Sequence, residues 1–326
     1  MAKNIDVDIS RTDAAGAPQE PPPRTRNTCP TCASHYREDE MVRNLRVCTN
    51  CGYHFPVTAR ERIVQLVDDG TFAEIAANLE SADPLGFVDS RPYPERLQAA
   101  VAATGLHDAA VVGAAMIGGT PVSLVVMDFA FLGGSMGAVV GEKFTRAADL
   151  ALDRRLPLVS VAASGGARMQ EGVLALMQMA KTVAAIDELQ ETGRPFVSVL
   201  VNPTTGGVAA SFAALGDVII AEPGALLSFS GPRVVKQTTR ERLPDDFGLA
   251  ESNYRHGHID LIVPRPELRD TVARVVALLA GGTPYRPPSL VGELDPVGAI
   301  GRALSGVRRR VTGVNPFRNG GASVDD

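Results

Sequence analysis

The chain has 326 residues, 45% hydrophobic and 21% charged, which allows a sizeable core and is ordinary for a soluble globular protein. Its 32 basic and 37 acidic residues leave a net charge of −5, so the whole chain offers no basic field for nucleic acid. No run approaches the roughly 18 apolar residues of a membrane-spanning helix, and the opening MAKNIDVDIS carries no secretory pattern. These features point to a cytoplasmic protein with reduced cysteines.

Residues 1–26 contain PQEPPP and no periodicity, and read as a disordered tail. Residues 27–56 hold all four cysteines, as Cys29-x2-Cys32 and Cys48-x2-Cys51 with fifteen residues between the pairs. Each pair presents two thiolates from a tight turn, and four thiolates close a tetrahedral shell with no open position. One structural Zn2+ in a ribbon is the expectation, with His35 and His54 as surface residues beside it. Between Arg24 and Arg62 seven arginines face four acidic residues, which raises a nucleic-acid-binding ribbon as an alternative. Sparse aromatics (Tyr36, Tyr53, Phe55) and the lack of a recognition helix argue against it.

The main domain is expected over 57–283, opening with a short amphipathic helix at 59–68 and a polar, proline-containing stretch before the core elements near residue 95. From there one device repeats: an apolar run, a glycine pair, then a helical pattern. Thr120–Asp128 leads to Gly133-Gly134, Leu156–Ala163 to Gly165-Gly166, and Pro195–Val201 to Gly206-Gly207. Such runs, alternating with helices, predict parallel strands buried on both faces. A helix from Ala167 to about Gln190 carries Met169, Val173, Leu176, Ala180 and Val183 on one apolar face. Residues 284–326, with PYRPPS and the triple arginine at 308–310, read as a flexible C-terminal tail.

A strand that ends in Gly-Gly and starts a helix aims backbone N–H groups at the turn. Such a turn can act as an oxyanion hole for a thioester enolate. None of the three turns supplies an obvious side-chain base, which suits chemistry whose base arrives with a cofactor. A rival reading uses Gly133-Gly134-Ser135-Met136-Gly137 as a serine-hydrolase nucleophile turn, with His256 or His258 and Asp217 or Asp245 as partners. Against it, FAFL separates the strand from Ser135. No dinucleotide or Walker fingerprint is present.

Residues 163–181 (ASGGARMQEGVLALMQMAK), 202–217 (NPTTGGVAASFAALGD) and 221–244 (AEPGALLSFSGPRVVKQTTRERLP) resemble the beta subunits of bacterial acetyl-CoA carboxylase carboxyltransferase, together with FAFLGGSMGAVVGEKF and the cysteine ribbon. The resemblance spans about residues 27–270. It implies an α/β, crotonase-like (ClpP/crotonase) spiral of ββα units and transfer of a carboxyl group from carboxybiotin to acetyl-CoA, giving malonyl-CoA. It implies a carboxyltransferase alpha subunit in an α2β2 assembly, a biotin carboxyl carrier protein and a biotin carboxylase as partners. On the same basis, the N–H groups of Gly165 and Gly166 would hold the enolate oxygen, Gly206 and Gly207 would line the pocket, and Arg233 and Lys236 would meet CoA phosphates. Gly172 stands where acetyl-CoA enzymes carry alanine and propionyl-type enzymes glycine, so propionyl-CoA stays open as a substrate. An acyl-CoA decarboxylase subunit would share the fold; the ribbon speaks against it.

Overall fold

A computed structural model describes residues 27–239 and 242–281, without the side chains of Arg233 and Thr239. Both expected tails, 1–26 and 284–326, lie outside the described residues.

The ribbon contributes two cysteine turns, closed by the bridges Thr28↔His35 and Val47↔His54, and the helix α1 (Glu38–Arg43). Helix α2 (Ala59–Leu66) starts at a capping box: the Thr58 hydroxyl accepts from the Glu61 N–H, while the Glu61 carboxylate accepts from the Thr58 N–H. Its Ile63 and Leu66 are buried in the main core. The core therefore begins before residue 95, and a short strand, β1 (Ala73–Ile75), follows at once.

Helix α3 (Tyr93–Thr104) leads to the hairpin of β2 (Ala110–Ile117) and β3 (Thr120–Met127), turned by Gly118-Gly119 with both φ angles positive. The chain continues through α4 (Ala138–Arg154), β4 (Leu158–Ser164), α5 (Val173–Glu191), β5 (Phe196–Thr205), α6 (Gly206–Ala209), β6 (Val218–Ala221), β7 (Leu227–Ser228), α7 (Pro232–Thr239), α8 (Ala250–Arg255), β8 (Leu261–Ile262) and α9 (Arg265–Leu279). The sheet runs β1-β2-β3-β4-β5-β6-β8, with β7 also on β5. Pairing is antiparallel from β1 to β3 and parallel from β3 onward. Every residue of β4 is buried, as the apolar runs predict for strands covered on both faces. Because β3, β4 and β5 are parallel, their C-terminal ends, and the three glycine pairs, meet at one end of the sheet.

Two expectations about α5 change. The helix starts at Val173, not Ala167, because Gly172 takes φ 53° and ψ −130°. A Cβ there would also stand 3.1 Å from Leu85 Cδ1. Positive φ with this ψ is open to glycine alone, so backbone geometry accounts for Gly172 without reference to the substrate. The apolar face named in the sequence also points outward: Met169, Val173, Leu176, Ala180 and Val183 are exposed, as is the neighbouring Met177, while Ala175, Thr182, Ala185, Ile186 and Leu189 pack inward. No helix among the described residues is long and apolar enough to cross a membrane.

Candidate active site

The glycine turns after β4 and β5 lie back to back. Gly166 has φ +114°, and a Cβ on it would stand 3.1 Å from Gly206 Cα and 3.2 Å from Gly207 N. That position needs glycine both for its backbone angle and for the approach of the neighbouring turn. The Gly133-Gly134 turn serves as a support: Gly133 O accepts from Gly165 N–H at 2.8 Å, and Gly134 O accepts from Ser164 Oγ at 2.6 Å.

The backbone donors of these turns divide into engaged and unengaged groups. Gly165 N–H is engaged by Gly133 O, Gly166 N–H donates to Ser164 Oγ at 3.0 Å, and Gly206 N–H donates to Phe229 O at 3.0 Å. Ala167 N–H and Gly207 N–H have no hydrogen-bond partner among the described residues. They sit on closely packed turns: a Cβ on Gly207 would lie 3.3 Å from Ala167 Cβ and 3.5 Å from Ala167 N. Sequence reasoning named Gly207 and missed Ala167. The signal that exposes Ala167 is the isolated parallel bridge Met136↔Ala167, in which Met136 takes Gly166 O and Arg168 N–H and leaves Ala167 N–H turned away.

Arg168 anchors this arrangement from below. It is fully buried and donates through Nη2 to Asp108 Oδ1 (2.6 Å) and Ser135 O (2.8 Å), through Nη1 to Asp108 Oδ2 and Ser81 Oγ (both 2.9 Å), and through Nε to Ser135 Oγ (3.1 Å). Glu171 completes the cluster. Its Oε1 accepts from Tyr93 OH at 2.7 Å, and its Oε2 accepts from Ala138 N–H, at the first turn of α4, at 2.6 Å. Burial alone would lower the Arg168 pKa, but Asp108 outweighs it and raises the value. The guanidinium thus stays charged and ties the turn after β3 to the turn after β4. The nucleophile reading of Ser135 fails here: its hydroxyl faces a guanidinium that cannot take a proton, and His256 and His258 are exposed on and just beyond the end of α8.

Lys236 is exposed on α7, which begins three residues after Phe229; the side chain of Arg233 lies outside the described residues.

In the ribbon, the four cysteine sulfurs lie within 4.8 Å of one another, with Cys29–Cys51, Cys32–Cys48 and Cys48–Cys51 each at 3.5 Å. A tetrahedral zinc with bonds of about 2.3 Å sets sulfurs roughly 3.8 Å apart, so the cluster fits that ion. Tyr36 OH lies 3.1 Å from Cys48 Sγ. The ribbon is pinned to the main domain through Glu222. Arg265 Nη1 donates to the carbonyls of Leu45, Arg46 and Phe55 at 3.1, 3.1 and 2.9 Å, while its Nε and Nη2 hold Glu222 at 2.8 and 2.7 Å. Arg62 and His54 close on the same carboxylate at 2.7 and 3.1 Å. His54, expected at the surface, is therefore buried. The basic segment is also largely neutralised within the chain: Arg46 pairs with Glu38 and Glu61, Arg62 with Glu222, and Arg37 and Arg43 with Asp39.

The model of the carboxyl transferase domain matches residues 56–289. The chain belongs to the carboxyl transferase family. The acetyl-coenzyme A carboxylase carboxyl transferase subunit beta of Thermus thermophilus is 51% identical over 265 residues, covering 81% of this chain and 93% of that protein. A relative from Salinispora arenicola, named as subunits beta/alpha, is 53% identical over 256 residues; these cover 78% of this chain and 45% of the relative. Among solved structures, transcarboxylase 12S with methylmalonyl-coenzyme A bound superposes with a TM-score of 0.57 at 28% identity, over 67% of this chain and 42% of that one. This carboxyltransferase has the crotonase-like fold, and the repeated strand–glycine–helix device is its signature in the sequence.

Proposed function

We propose that this chain is the beta subunit of the carboxyltransferase of acetyl-CoA carboxylase, a cytoplasmic enzyme that makes malonyl-CoA for fatty acid biosynthesis. The observation that carries the reading is the pair of unengaged N–H groups, Ala167 and Gly207, on closely packed turns whose nearby carboxylate, Glu171, is taken up by Tyr93 and Ala138. A thioester oxygen between them accepts two hydrogen bonds, and these strengthen as negative charge develops on the enolate. Backbone donors held by β4, β5 and the Arg168 cluster need no rearrangement at that moment. Gly165, Gly166 and Gly206 shape the wall and let the acyl group come close. Carboxybiotin, when delivered by a biotin carboxyl carrier protein loaded by a biotin carboxylase, supplies the carboxyl group and, at its ureido nitrogen, the base. Lys236 and Arg233 stand as candidates for CoA phosphates. Measuring kcat/KM for acetyl-CoA against propionyl-CoA tests the substrate; a preference for propionyl-CoA would overturn the acetyl assignment.

The outward apolar face of α5 supports a partner of the alpha type. Leu176 and Met177 are more than half exposed, and a large apolar patch of this kind marks an interface. The fused beta/alpha relative carries a further half beyond the region matched here. Leu176→Asp should leave the chain's own stability within about 0.5 kcal/mol and weaken binding of the alpha subunit by about 2 kcal/mol, roughly thirtyfold. Unchanged affinity in a sedimentation or calorimetric titration would place the partner elsewhere.

The ribbon is proposed to hold one structural zinc on Cys29, Cys32, Cys48 and Cys51. The purified chain should contain about one zinc, and Cys48→Ser should lose it along with protection of the ribbon amides from hydrogen exchange. A wild-type ribbon that is ordered and metal-free would refute the site.

A further inference from the structure

A cavity of about 310 Å³ opens between α2, α4 and the start of β2, with Arg60, Glu74, Asn78, His107, Ala110 and Lys143 in its lining. Lys143 is only 2% exposed, yet its ammonium donates to a single acceptor, Ala110 O at 2.8 Å, and forms no ion pair among the described residues. An ammonium carries three donors, and a buried charge without a partner is costly. Burial depresses the Lys143 pKa, Asp108 and Glu74 oppose that shift from a distance, and Arg60 adds to it. Lys143 thus brings to the cavity a buried amine with one acceptor and no ion-pair partner among the described residues.

Arg60 enters from α2 with its side chain about half exposed, and its Nη1 stands 4.0 Å from Glu74 Oε2, at the limit of an ion pair. His107 is turned to Glu80, with Nδ1 2.6 Å from Oε1. Glu74 is thus the one carboxylate in the lining, set against two cations from separate elements. We propose that this cavity binds a phosphate group, held by Lys143 and Arg60 with the Asn78 amide beside them. A tetrahedral dianion takes donors from several directions and matches both the point charge of lysine and the fork of arginine. The volume sits at the lower end of small-molecule sites, about 300–1,000 Å³.

The position bears on which molecule carries the phosphate. Ala110 pairs with Met127, the last residue of β3, so the cavity is at the same end of the sheet as the glycine turns. Leu106 and His107 run directly into Asp108, which binds Arg168. Two sources fit this chemistry: a phosphate of the CoA substrate, or a separate phosphate-bearing ligand. Binding of the group itself does not depend on the reaction assigned above.

The test is calorimetric titration of the full-length chain with inorganic phosphate, in buffer free of other oxyanions. Saturable binding is expected, weakened about tenfold or more by Arg60→Ala and by Lys143→Met. Arg60 is half exposed, so its variant keeps the fold and decides the matter if Lys143→Met does not. No saturable binding by the wild type, or wild-type affinity in Arg60→Ala, would overturn the site. Displacement of phosphate by CoA but not by CoA lacking its 3′-phosphate assigns the site to that substrate group. Displacement by both assigns it to the diphosphate, and displacement by neither assigns it to a separate ligand.

Discussion

Gly166→Val should abolish carboxyl transfer while the chain stays folded. At φ +114° a β-branched residue is strained, and its Cβ would press on Gly206 Cα and Gly207 N at 3.1 and 3.2 Å. The two turns must then separate, and the separation moves Gly207 N–H away from Ala167 N–H. Loss of one such donor costs about 10²–10³ in kcat, so displacement of the pair should lower kcat by at least that factor. KM for the acyl-CoA should change far less, because the hydrogen bonds to the thioester oxygen strengthen chiefly in the transition state. Wild-type turnover in the variant would remove the oxyanion assignment. The local strain should also cost roughly 1–3 kcal/mol of stability, so circular dichroism and zinc content serve as the fold control.

The second large effect concerns Glu222. This carboxylate is 1% exposed and is shared by Arg62, Arg265 and His54. Glu222→Gln would leave two buried guanidinium groups without their counter-charge, a change worth about 3–5 kcal/mol in comparable clusters. Because Arg265 also holds three carbonyls of the ribbon, the loss should appear as ribbon undocking before global unfolding. Hydrogen exchange at Arg46 and Phe55, whose backbone groups pair across the ribbon, would report it. Equal stability and equal exchange in the variant would contradict the hub. Burial on its own would raise the Glu222 pKa, but the charge of Arg62 and hydrogen bonds from Arg265 and His54 hold it well below the usual carboxylate range. A depressed carboxylate contributes stability above its unfolded value, about 4.3, and that contribution fades as pH falls through the folded value. The wild type should therefore lose ribbon docking on acidification below about pH 4, and the variant should show a flatter profile there.

What could be read in advance follows from how local each signal is. The cysteine cluster is written in two short spacings, and the four sulfurs converge as those spacings imply. Strands β3, β4 and β5 are apolar runs closed by glycine pairs, and periodicity exposes them. Strand β2, with AVVGAAMI, is rich in alanine and carries no alternation, so its place in the hairpin emerges only from the structure. The outward face of α5 shows a different limit. An apolar stripe records that something covers it, not whether the cover is the chain's own core or a second subunit. The roles of His54 and Ala167 escape the sequence for a third reason: they depend on contacts with Glu222 and Met136, more than 100 and about 30 residues away along the chain.

The most direct test of the central claim is the reverse reaction, malonyl-CoA with free biocytin, run with this chain alone and then with the alpha subunit. Decarboxylation of malonyl-CoA that requires both the alpha subunit and biocytin, and that disappears with Gly166→Val, is the predicted result. No turnover from a formed complex with an intact zinc site would contradict the assignment as an acetyl-CoA carboxyltransferase.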